Sequence, residues 1–166
     1  SLITSFGSTF QNTGVEEIPE NLFSGNPLVT SYGQTFRGCK NLRSVPAGLF
    51  AASISATVFT NVFSECSALE VVGAGLLNTT AGTTVGYLFD GCASLHSDVN
   101  TIFNLASYPE IVTTTAIFRS CALLAGKGLA FMGKVPNVTA HYYAFYACAG
   151  LDDYDDLPGN WITNKL

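Results

Sequence analysis

The chain has 166 residues, of which 48% are hydrophobic and only 11% are charged, and its formal net charge at pH 7 is −5. An acidic chain without a run of Lys or Arg lacks the basic surface that phosphate groups require, which argues against nucleic-acid binding. The longest apolar stretch, residues 121–135, contains two lysines and is too short to span a bilayer, so we expect no membrane insertion. A surface rich in Ser, Thr, Asn and Gly favours a secreted, cell-surface or virion protein over a cytosolic enzyme.

The amino-terminal segment has the apolar pattern of a repeat but lacks an evident cap. Leu2, Ile3 and Phe6 match apolar positions that recur later in the chain. We therefore expect the first stacking surface to be open and to adjoin a preceding domain or another subunit. The sequence starts at Ser1 with no secretory signal, which we expect of a fragment or a processed chain.

From residue 36 onward, the motif Phe-x-x-Cys-x-x-Leu occurs five times and contains every cysteine of the chain. Successive cysteines are 27, 26, 29 and 27 residues apart, and a degenerate copy with Phe10, Thr13 and Val15 precedes them. A period of this length is typical of solenoids, in which each repeat buries its apolar face against its neighbours. The motif residues are predicted to form apolar ladders: Phe36, Cys39, Leu42, Phe63, Cys66, Leu69, Phe89, Cys92, Leu95, Phe118, Cys121, Leu124, Phe145, Cys148 and Leu151.

The second copy, residues 35–50, illustrates the local structure that the pattern predicts. Phe36 and Cys39 are three residues apart, so they share one face of a short helical turn. Leu42 and Val45 bracket a short extended segment, and Pro46 ends its hydrogen bonding. An apolar pair then returns to the core, ten and eleven residues after the cysteine: Leu49-Phe50, Leu76-Leu77, Ile102-Phe103 and Phe131-Met132.

Threonine recurs nine residues before the cysteine position. Hydroxyl groups at this position can bond to the backbone of a neighbouring repeat while the methyl groups pack. The sequence therefore predicts a hydroxyl ladder beside the apolar ones. Its members are Thr4, Thr30, Thr57, Thr83 and Thr139.

The five cysteines have two interpretations. Adjacent repeats in a parallel ladder lie about 4.8 Å apart, so a disulfide between neighbouring copies is one of them. A position flanked by Phe and Leu instead favours a small buried thiol that remains reduced and packs as an apolar residue. Because the chain has no Cys-x-x-Cys pair, no zinc site is predicted.

Two charged residues interrupt the apolar pattern in the middle of the chain. Asp98 and Lys127 lie six residues after a cysteine, where the two preceding copies have Val45 and Val72. One hypothesis is a cross-strand ion pair between them. The alternative is a shift of register that turns Val99 inward. The 29-residue spacing of two cysteines also predicts a small insertion with a bulged loop near residues 108–109.

The acidic run at residues 152–156 is the sharpest local anomaly. Its carboxylates could serve as a polar cap where the last repeat meets water, as a calcium site, or as a carboxylate pair for glycoside cleavage. The run lacks the alternation and the glycine of an EF-hand loop, which favours the cap. Trp161 is predicted to shield the open end of the core.

The repeat resembles the BspA-like, or Treponema-type, leucine-rich repeats over nearly the whole chain. The residues that carry the resemblance are Phe36-Arg37-Gly38-Cys39-Lys40-Asn41-Leu42, followed by Val45-Pro46 and preceded by Val29-Thr30. Residues 18–23 and 29–32 are also similar to repeats of bacteriophage tail and tail-fibre proteins and of bacterial surface proteins. The resemblance implies an α/β solenoid, a right-handed leucine-rich-repeat stack of about six repeats with short parallel strands and short helical turns. It implies a single domain, residues 1–166, with repeats near 9–34, 35–61, 62–87, 88–116, 117–143 and 144–166.

In such a solenoid the segments after the motif leucines align on one face, and the residues between their inward side chains point outward. These outward residues vary from copy to copy while their neighbours stay fixed, which is typical of a scaffold with an adaptable face. Unconstrained drift of exposed positions is the alternative explanation. The candidate contact residues on this face are Glu16, Glu17, Arg43, Ser44, Glu70, His96, Asp152 and Asp153. A second candidate set consists of aromatic residues expected to be exposed: Tyr87, Tyr108, Tyr142 and Tyr143.

The sequence predicts no catalytic residue, no cofactor and no metal site. Only His96 and His141 titrate near neutral pH; His96 is expected on a solvated strand, and His141 takes a position that other copies fill with aromatic or apolar residues. The resemblance implies a non-catalytic recognition module, the receptor-binding or tip domain of a bacteriophage tail or tail fibre that engages a bacterial surface protein or glycan. The alternatives are a BspA-like bacterial cell-surface adhesin and a structural spacer, and an enzyme is the least supported. The corresponding locations are the virion tail and the extracellular or cell surface.

Overall fold

The computed structural model describes residues 2–77 and 84–163. Regular elements in this part of the chain are short, because tight turns fill most of each copy. Two strands, β1 (Ser44–Val45) and β2 (Val71–Val72), pair in parallel, with Ser44 opposite Val71 and Val45 opposite Val72. The helical elements are α1 (Val99–Ile102), α2 (Gly128–Lys134), a 3₁₀ helix (Tyr154–Asp156) and α3 (Gly159–Ile162).

Successive copies of the repeat lie side by side and run parallel. We number the copies one to six by their phenylalanines, Phe10, Phe36, Phe63, Phe89, Phe118 and Phe145. Parallel bridges join the residue five positions before each phenylalanine to its counterpart in the next copy. Neighbouring copies are therefore in register well beyond the two short strands. The bridged residues are Ser5, Ser31, Val58, Thr84, Thr113 and Ala140.

The segment around each motif phenylalanine alternates between two kinds of hydrogen bond. The N–H groups of Tyr32, Gln34, Phe36 and Gly38 donate to carbonyls of copy three at 2.8–3.0 Å, and the residues between them close turns within their own copy. A left-handed residue two positions before and two positions after each phenylalanine prevents a continuous helix, which leaves alternate N–H groups free for the neighbouring copy. These left-handed residues are Ser8, Asn12, Gln34, Gly38, Asn61, Glu65, Tyr87, Gly91, Ala116, Ser120, Tyr143 and Ala147.

Phenylalanine rings form the central column of the core. Consecutive rings from Phe10 to Phe145 lie 5.2–5.9 Å apart and within 8° of parallel. A second group of rings, which includes Phe50 and Phe131, packs against this column. All fifteen motif residues that the sequence singles out are buried. Apolar surface of each copy is thus removed from water by the copies on either side.

Each cysteine is a free, buried thiol that donates a hydrogen bond to the copy before it. The sulfur atoms lie 2.9–3.2 Å from the carbonyl oxygen of the preceding copy's phenylalanine. The prediction of reduced thiols agrees with this arrangement, and the disulfide alternative does not. In copy one, Thr13 takes the cysteine position and donates to the carbonyl of Phe10 in its own copy at 2.8 Å.

The hydroxyl ladder also links neighbouring copies. The Thr30 hydroxyl donates to the Thr4 carbonyl at 3.2 Å, and the Thr139 hydroxyl donates to the Val112 carbonyl at 3.3 Å. Thr83, another predicted member, lies outside the described residues. At Thr30 and Thr139 the ladder therefore supplies a side-chain hydrogen bond between copies beside the backbone bonds.

The predicted ion pair between Asp98 and Lys127 is wrong. The Asp98 carboxylate instead accepts a hydrogen bond from the Asn100 N–H at 2.6 Å and caps α1. Val99 fills the buried position, as the alternative of a shifted register requires. The reason is that Asp98 directly precedes α1, so its carboxylate satisfies a backbone N–H at the start of that helix instead of pairing with Lys127.

The insertion after α1 is a packed loop, and Tyr108 is buried in it, so its prediction as an exposed aromatic residue is wrong. The Tyr108 N–H donates to the Lys134 carbonyl at 2.6 Å, and the Tyr108 hydroxyl accepts from the Leu105 N–H at 3.1 Å. The Lys134 ammonium group donates to the carbonyls of Asn100 and Phe103 at the end of α1. Tyr108 therefore holds the loop on the core and is not available to a partner.

The carboxyl-terminal end of the stack is covered by the chain itself. The Phe145 N–H donates to the Trp161 carbonyl at 3.0 Å, and the Ala147 N–H donates to the Tyr154 hydroxyl at 3.2 Å. The Trp161 ring also stacks on His141, with ring centroids 4.6 Å apart. Residues 154–161 thus bind N–H groups that a following copy would otherwise use, and Trp161 shields the core as predicted.

At the amino-terminal end, the equivalent backbone groups face outward. In copy two, the carbonyls of Ser31, Gly33, Thr35 and Arg37 accept N–H groups of copy one. Their counterparts in copy one, the carbonyls of residues 5, 7, 9 and 11, accept no hydrogen bond from the described residues. Leu2 is 91% exposed at the same end. This edge, the amino-terminal edge, has the same acceptor pattern as the surfaces buried between copies.

Candidate binding surfaces

The outward residues that follow the motif leucines form one column along the strand face. The Arg43 N–H donates to the Glu16 carbonyl at 3.2 Å, and the Glu70 N–H donates to the Arg43 carbonyl at 2.9 Å. The His96 N–H continues the ladder to the Glu70 carbonyl at 3.1 Å. The structure therefore brings together four predicted contact residues, one from each of four consecutive copies. We call these four residues the strand-face column.

The charges of the strand-face column are largely in water. Arg43 and Glu70 form an ion pair with Nη1 and Oε1 3.3 Å apart, and their side chains are 70% and 47% exposed. Solvent screening limits such a pair to below about 1 kcal/mol of stability. The predicted residues Glu17 and Ser44 are exposed as well. These groups are therefore free to meet a partner with little consequence for the fold.

Of the two acidic residues predicted at the far end of this face, only one is free to contact a partner. Asp152 is exposed, and its N–H donates to the Gly126 carbonyl at 2.9 Å. The Asp153 carboxylate accepts from the N–H groups of Gly128 at 2.7 Å and Leu129 at 3.0 Å. Asp153 thus satisfies backbone donors in the first turn of α2 instead of serving as a contact residue. Among the described residues, no group of three or more His, Cys, Asp or Glu is arranged to hold a metal ion.

A second surface lies on the turn segments of copies four to six. The Asp90 carboxylate binds Arg119 through two hydrogen bonds, from Nε at 2.8 Å and from Nη2 at 2.6 Å. The Arg119 guanidinium group lies 5.6 Å from the ring centroid of Tyr87. The rings of Tyr143 and Tyr146 meet edge to face, 5.8 Å apart. We call these five residues the Tyr/Arg patch.

The position of each residue in the Tyr/Arg patch follows from the repeat. Tyr87 and Tyr143 are the left-handed residues two positions before the phenylalanines of copies four and six. Asp90, Arg119 and Tyr146 each follow a motif phenylalanine by one residue. The position two residues before a phenylalanine and the position one residue after it are three residues apart. Turn hydrogen bonds join them, such as the one from the Tyr146 N–H to the Tyr143 carbonyl at 3.2 Å. Parallel stacking then places the three copies beside one another.

The electrostatics of the Tyr/Arg patch are balanced. The Asp90 side chain is only 14% exposed and the Arg119 side chain is 40% exposed. Hydrogen bonding to the Asp90 carboxylate raises the pKa of the Arg119 guanidinium group, and the nearby phenols of Tyr87 and Tyr143 add to this effect. Arg119 is therefore a fixed cation whose charge is matched by a largely buried carboxylate.

The four aromatic residues that the sequence predicts to be exposed lie in different environments. Tyr87 and Tyr143 join the Tyr/Arg patch, whereas Tyr108 is buried. Tyr142 is half-buried, and its ring lies 5.9 Å from that of His141. Sequence reasoning missed three residues of the patch, although aligning the copies on their phenylalanines puts them all in one position. Those residues are Asp90, Arg119 and Tyr146.

The two histidines occupy unlike environments. His96 is exposed, with Nδ1 3.2 Å from the Ser94 carbonyl. Burial lowers the pKa of His141, which lies under the Trp161 ring, so His141 is neutral at pH 7. Neither ring nitrogen of His141 has a hydrogen-bond partner among the described residues. His141 therefore packs at the covered carboxyl-terminal end of the stack, whereas His96 lies on the exposed strand face.

A polar depression of about 420 Å³ opens between copies one and two. Gly38 lines the depression, and a side chain at this position would clash with Asn12, since a Cβ atom there would lie 2.1 Å from the Asn12 side-chain oxygen. The depression contains one basic group, from Lys40, and no carboxylate. Its lining residues are Asn12, Thr13, Gly14, Gly38, Lys40 and Asn41.

Comparison with known proteins gives no family for this sequence. No protein-family model matches the chain, and no curated protein is significantly similar to it. Within the described residues, no helix has the length and apolar character needed to cross a bilayer. The two surfaces described above are accordingly interpreted from their own geometry and chemistry.

Proposed function

We propose that the chain is a non-catalytic recognition module built as a right-handed leucine-rich-repeat solenoid. The parallel bridges between successive copies, the stacked phenylalanine rings and the period of the motif support this architecture. The fold would act as a stiff support, and function would depend on the side chains that it presents. No chemical step is required of any residue.

The observation that carries this proposal is the strand-face column. Its backbone positions are equivalent and are linked from copy to copy, yet its side chains are chemically unlike: Glu16, Arg43, Glu70 and His96. A backbone held by neighbouring copies orders these side chains before a partner arrives. Little conformational entropy is then lost on docking, which favours recognition by surface contact.

We further propose that the partner is a protein or glycan of a bacterial surface, and that the module is the tip or receptor-binding domain of a bacteriophage tail or tail fibre. This part depends on the resemblance of residues 18–23 and 29–32 to tail-protein repeats. A bacterial adhesin with the same repeat would present the same surfaces from the cell exterior. The amino-terminal edge would contact an adjoining domain or subunit, because its outward carbonyls and exposed Leu2 suit a further stacked partner.

Binding of the purified chain to intact bacteria tests the recognition function. A tagged chain would be incubated with a panel of Gram-positive and Gram-negative strains, and cell-bound protein would be measured by flow cytometry. Saturable binding to some strains, displaced by untagged chain, is the expected result. A structural spacer would bind no strain, and an enzyme would release sugars or peptides from the cell walls.

A further inference from the structure

We propose that the Tyr/Arg patch is the energetic centre of the contact with a partner protein, an inference that rests on the recognition function above. Tyrosine and arginine are enriched at the centres of protein interfaces, because each combines a large contact area with groups that form hydrogen bonds. The patch gathers three tyrosines and one arginine from three consecutive copies, and all four are partly exposed. The strand-face column offers mostly solvated charges, which contribute less to affinity.

The patch is ordered before binding. Two hydrogen bonds that Arg119 donates to the Asp90 carboxylate fix its guanidinium group, and that group in turn covers Tyr87. The Tyr87 N–H donates to the Thr115 carbonyl of the next copy at 2.8 Å, so the backbone under the ring is also held. Because these side chains are fixed by the fold, a partner does not have to immobilise them.

The charge of the patch indicates what kind of protein surface fits it. Arg119 is matched by Asp90, so the patch has no unpaired charge at its centre. The chain as a whole carries a net charge of −5, which repels acidic surfaces. The partner surface that complements the patch is therefore uncharged where it contacts the patch and neutral or basic around that contact. Binding through such an area should depend only weakly on salt.

The ring geometry favours a protein over a glycan. Sugar rings stack on free, flat aromatic faces, and a row of coplanar rings suits a glycan chain. In the patch, the Arg119 guanidinium group covers one face of Tyr87, and the planes of Tyr143 and Tyr146 are 81° apart. The patch therefore presents ring edges, hydroxyl groups and a guanidinium group, which the mixed side chains of a protein surface can match.

Copy five provides a template for the test variants. Ala116 has the same left-handed backbone, in the same position of its copy, as Tyr87 and Tyr143. Tyr87→Ala and Tyr143→Ala therefore remove the rings in a backbone conformation that alanine already adopts in this chain. Tyr142→Ala serves as a control, because Tyr142 is a half-buried tyrosine outside the patch. A comparison variant, Arg43→Ala with Glu70→Ala, removes the ion pair of the strand-face column and measures how much that column contributes to binding.

The experiment measures binding of the full chain and these variants to intact bacteria at low and high salt, after thermal melting has shown that each variant is folded. Cells are used untreated, treated with proteinase K, or oxidised with periodate. Tyr87→Ala and Tyr143→Ala should each weaken binding about tenfold or more, and Tyr142→Ala should bind as the unchanged chain does. The strand-face variant should weaken binding less than either patch variant. Proteinase K should abolish binding, while periodate and salt should have little effect.

The remaining outcomes distinguish which statement fails. If folded patch variants bind normally and the Arg43→Ala, Glu70→Ala variant does not, the strand face is the contact site; the patch proposal fails and recognition stands. If periodate but not proteinase K abolishes binding, the partner is a glycan and the proposed partner class is wrong. If the unchanged chain binds no strain, the recognition function fails and the patch proposal fails with it.

Discussion

The thiol of Cys66 donates a hydrogen bond to the carbonyl oxygen of Phe36, one copy earlier in the stack, at 3.2 Å. The same bond recurs for each of the five cysteines. A thiol is large enough to pack between Phe and Leu side chains and still has a proton to donate. Alanine at this position would pack less well and donate nothing, which gives a physical reason for cysteine in every complete motif.

The folded protein should resist thiol-specific reagents. Burial raises the pKa of Cys66 and of Cys148 to about 12, so almost no thiolate is present near pH 8. We expect iodoacetamide to modify no cysteine of the folded chain and all five after unfolding in denaturant, as counted by intact-mass spectrometry. Rapid alkylation of any cysteine in the folded chain would contradict the buried thiol ladder.

Alkaline pH should destabilise the fold through the same groups. Burial raises the pKa of Cys92 and Cys121 well above the ordinary value of 9.0. Above about pH 9, the folded chain therefore keeps thiol protons that the unfolded chain releases. The contribution of these thiols to the free energy of unfolding is complete below about pH 9 and is lost as the pH rises toward the pKa values of the folded chain. Each such thiol should lower the free energy of unfolding by about 1.4 kcal/mol per pH unit in that window. Urea denaturation in reductant, with Cys92→Ala as the control that lacks one thiol, would measure the slope; an unchanged slope in that variant would contradict the assignment.

The buried ladders could be read from the sequence because one set of residue types recurs at one period. Parallel stacking places equivalent residues of each copy next to one another, so the period alone identifies Arg43 and Glu70 as neighbours. The backbone conformation of the turns could not be predicted from the sequence in the same way. Left-handed positions are usually marked by glycine, but here residues such as Glu65 and Tyr87 adopt them. Tertiary hydrogen bonds between copies override the local preference.

Two ion pairs of the turn segments should differ in strength. Asp90 is largely buried and holds Arg119 by two hydrogen bonds, whereas Glu65 is exposed and pairs with Arg37 at 2.7 Å. Asp90→Asn should lower the free energy of unfolding by about 1–2 kcal/mol, because a hydrogen-bonded charge pair away from water is lost. Glu65→Gln should cost less than about 1 kcal/mol. Urea denaturation of both variants makes the comparison, and equal losses would contradict it.

The binding surfaces were only partly predictable. The outward strand residues follow from alternation, but the use of Asp153 as a partner for α2 depends on a helix whose place is set by the neighbouring copy. Tyr108 looked exposed because it lies in an insertion, and only the packing of that loop against Lys134 buries it. The pairing of Arg119 with Tyr87 joins residues of adjacent copies through long side chains, whose directions a period does not specify.

Two glycines should respond in opposite ways to alanine. Gly133 lies inside α2 with open space where a Cβ atom would be, so Gly133→Ala should stabilise the chain by about 0.5–1 kcal/mol. A Cβ atom on Gly73 would lie 2.3 Å from the Ala47 backbone nitrogen, and Gly73→Ala should therefore force neighbouring copies apart and cost about 2 kcal/mol or more. Thermal and urea melts would measure both. Similar effects of the two substitutions would contradict the close approach at Gly73.

The amino-terminal edge should accept an additional copy. In copy two, the N–H groups of Tyr32, Gln34, Phe36 and Gly38 reach carbonyls of copy three. The carbonyls of residues 5, 7, 9 and 11, which accept no hydrogen bond from the described residues, repeat that acceptor pattern. A chain in which a duplicate of residues 31–57 replaces residues 1–4 would therefore cover the edge with the same hydrogen bonds and ring stacking. We expect a higher urea midpoint than that of the unchanged chain, because an exposed apolar surface becomes an internal one. A duplicate carrying Phe36→Asp and Cys39→Asp is the matched control and should give no increase. An equal midpoint for the intact duplicate and the control would show that this edge does not stack as the internal surfaces do.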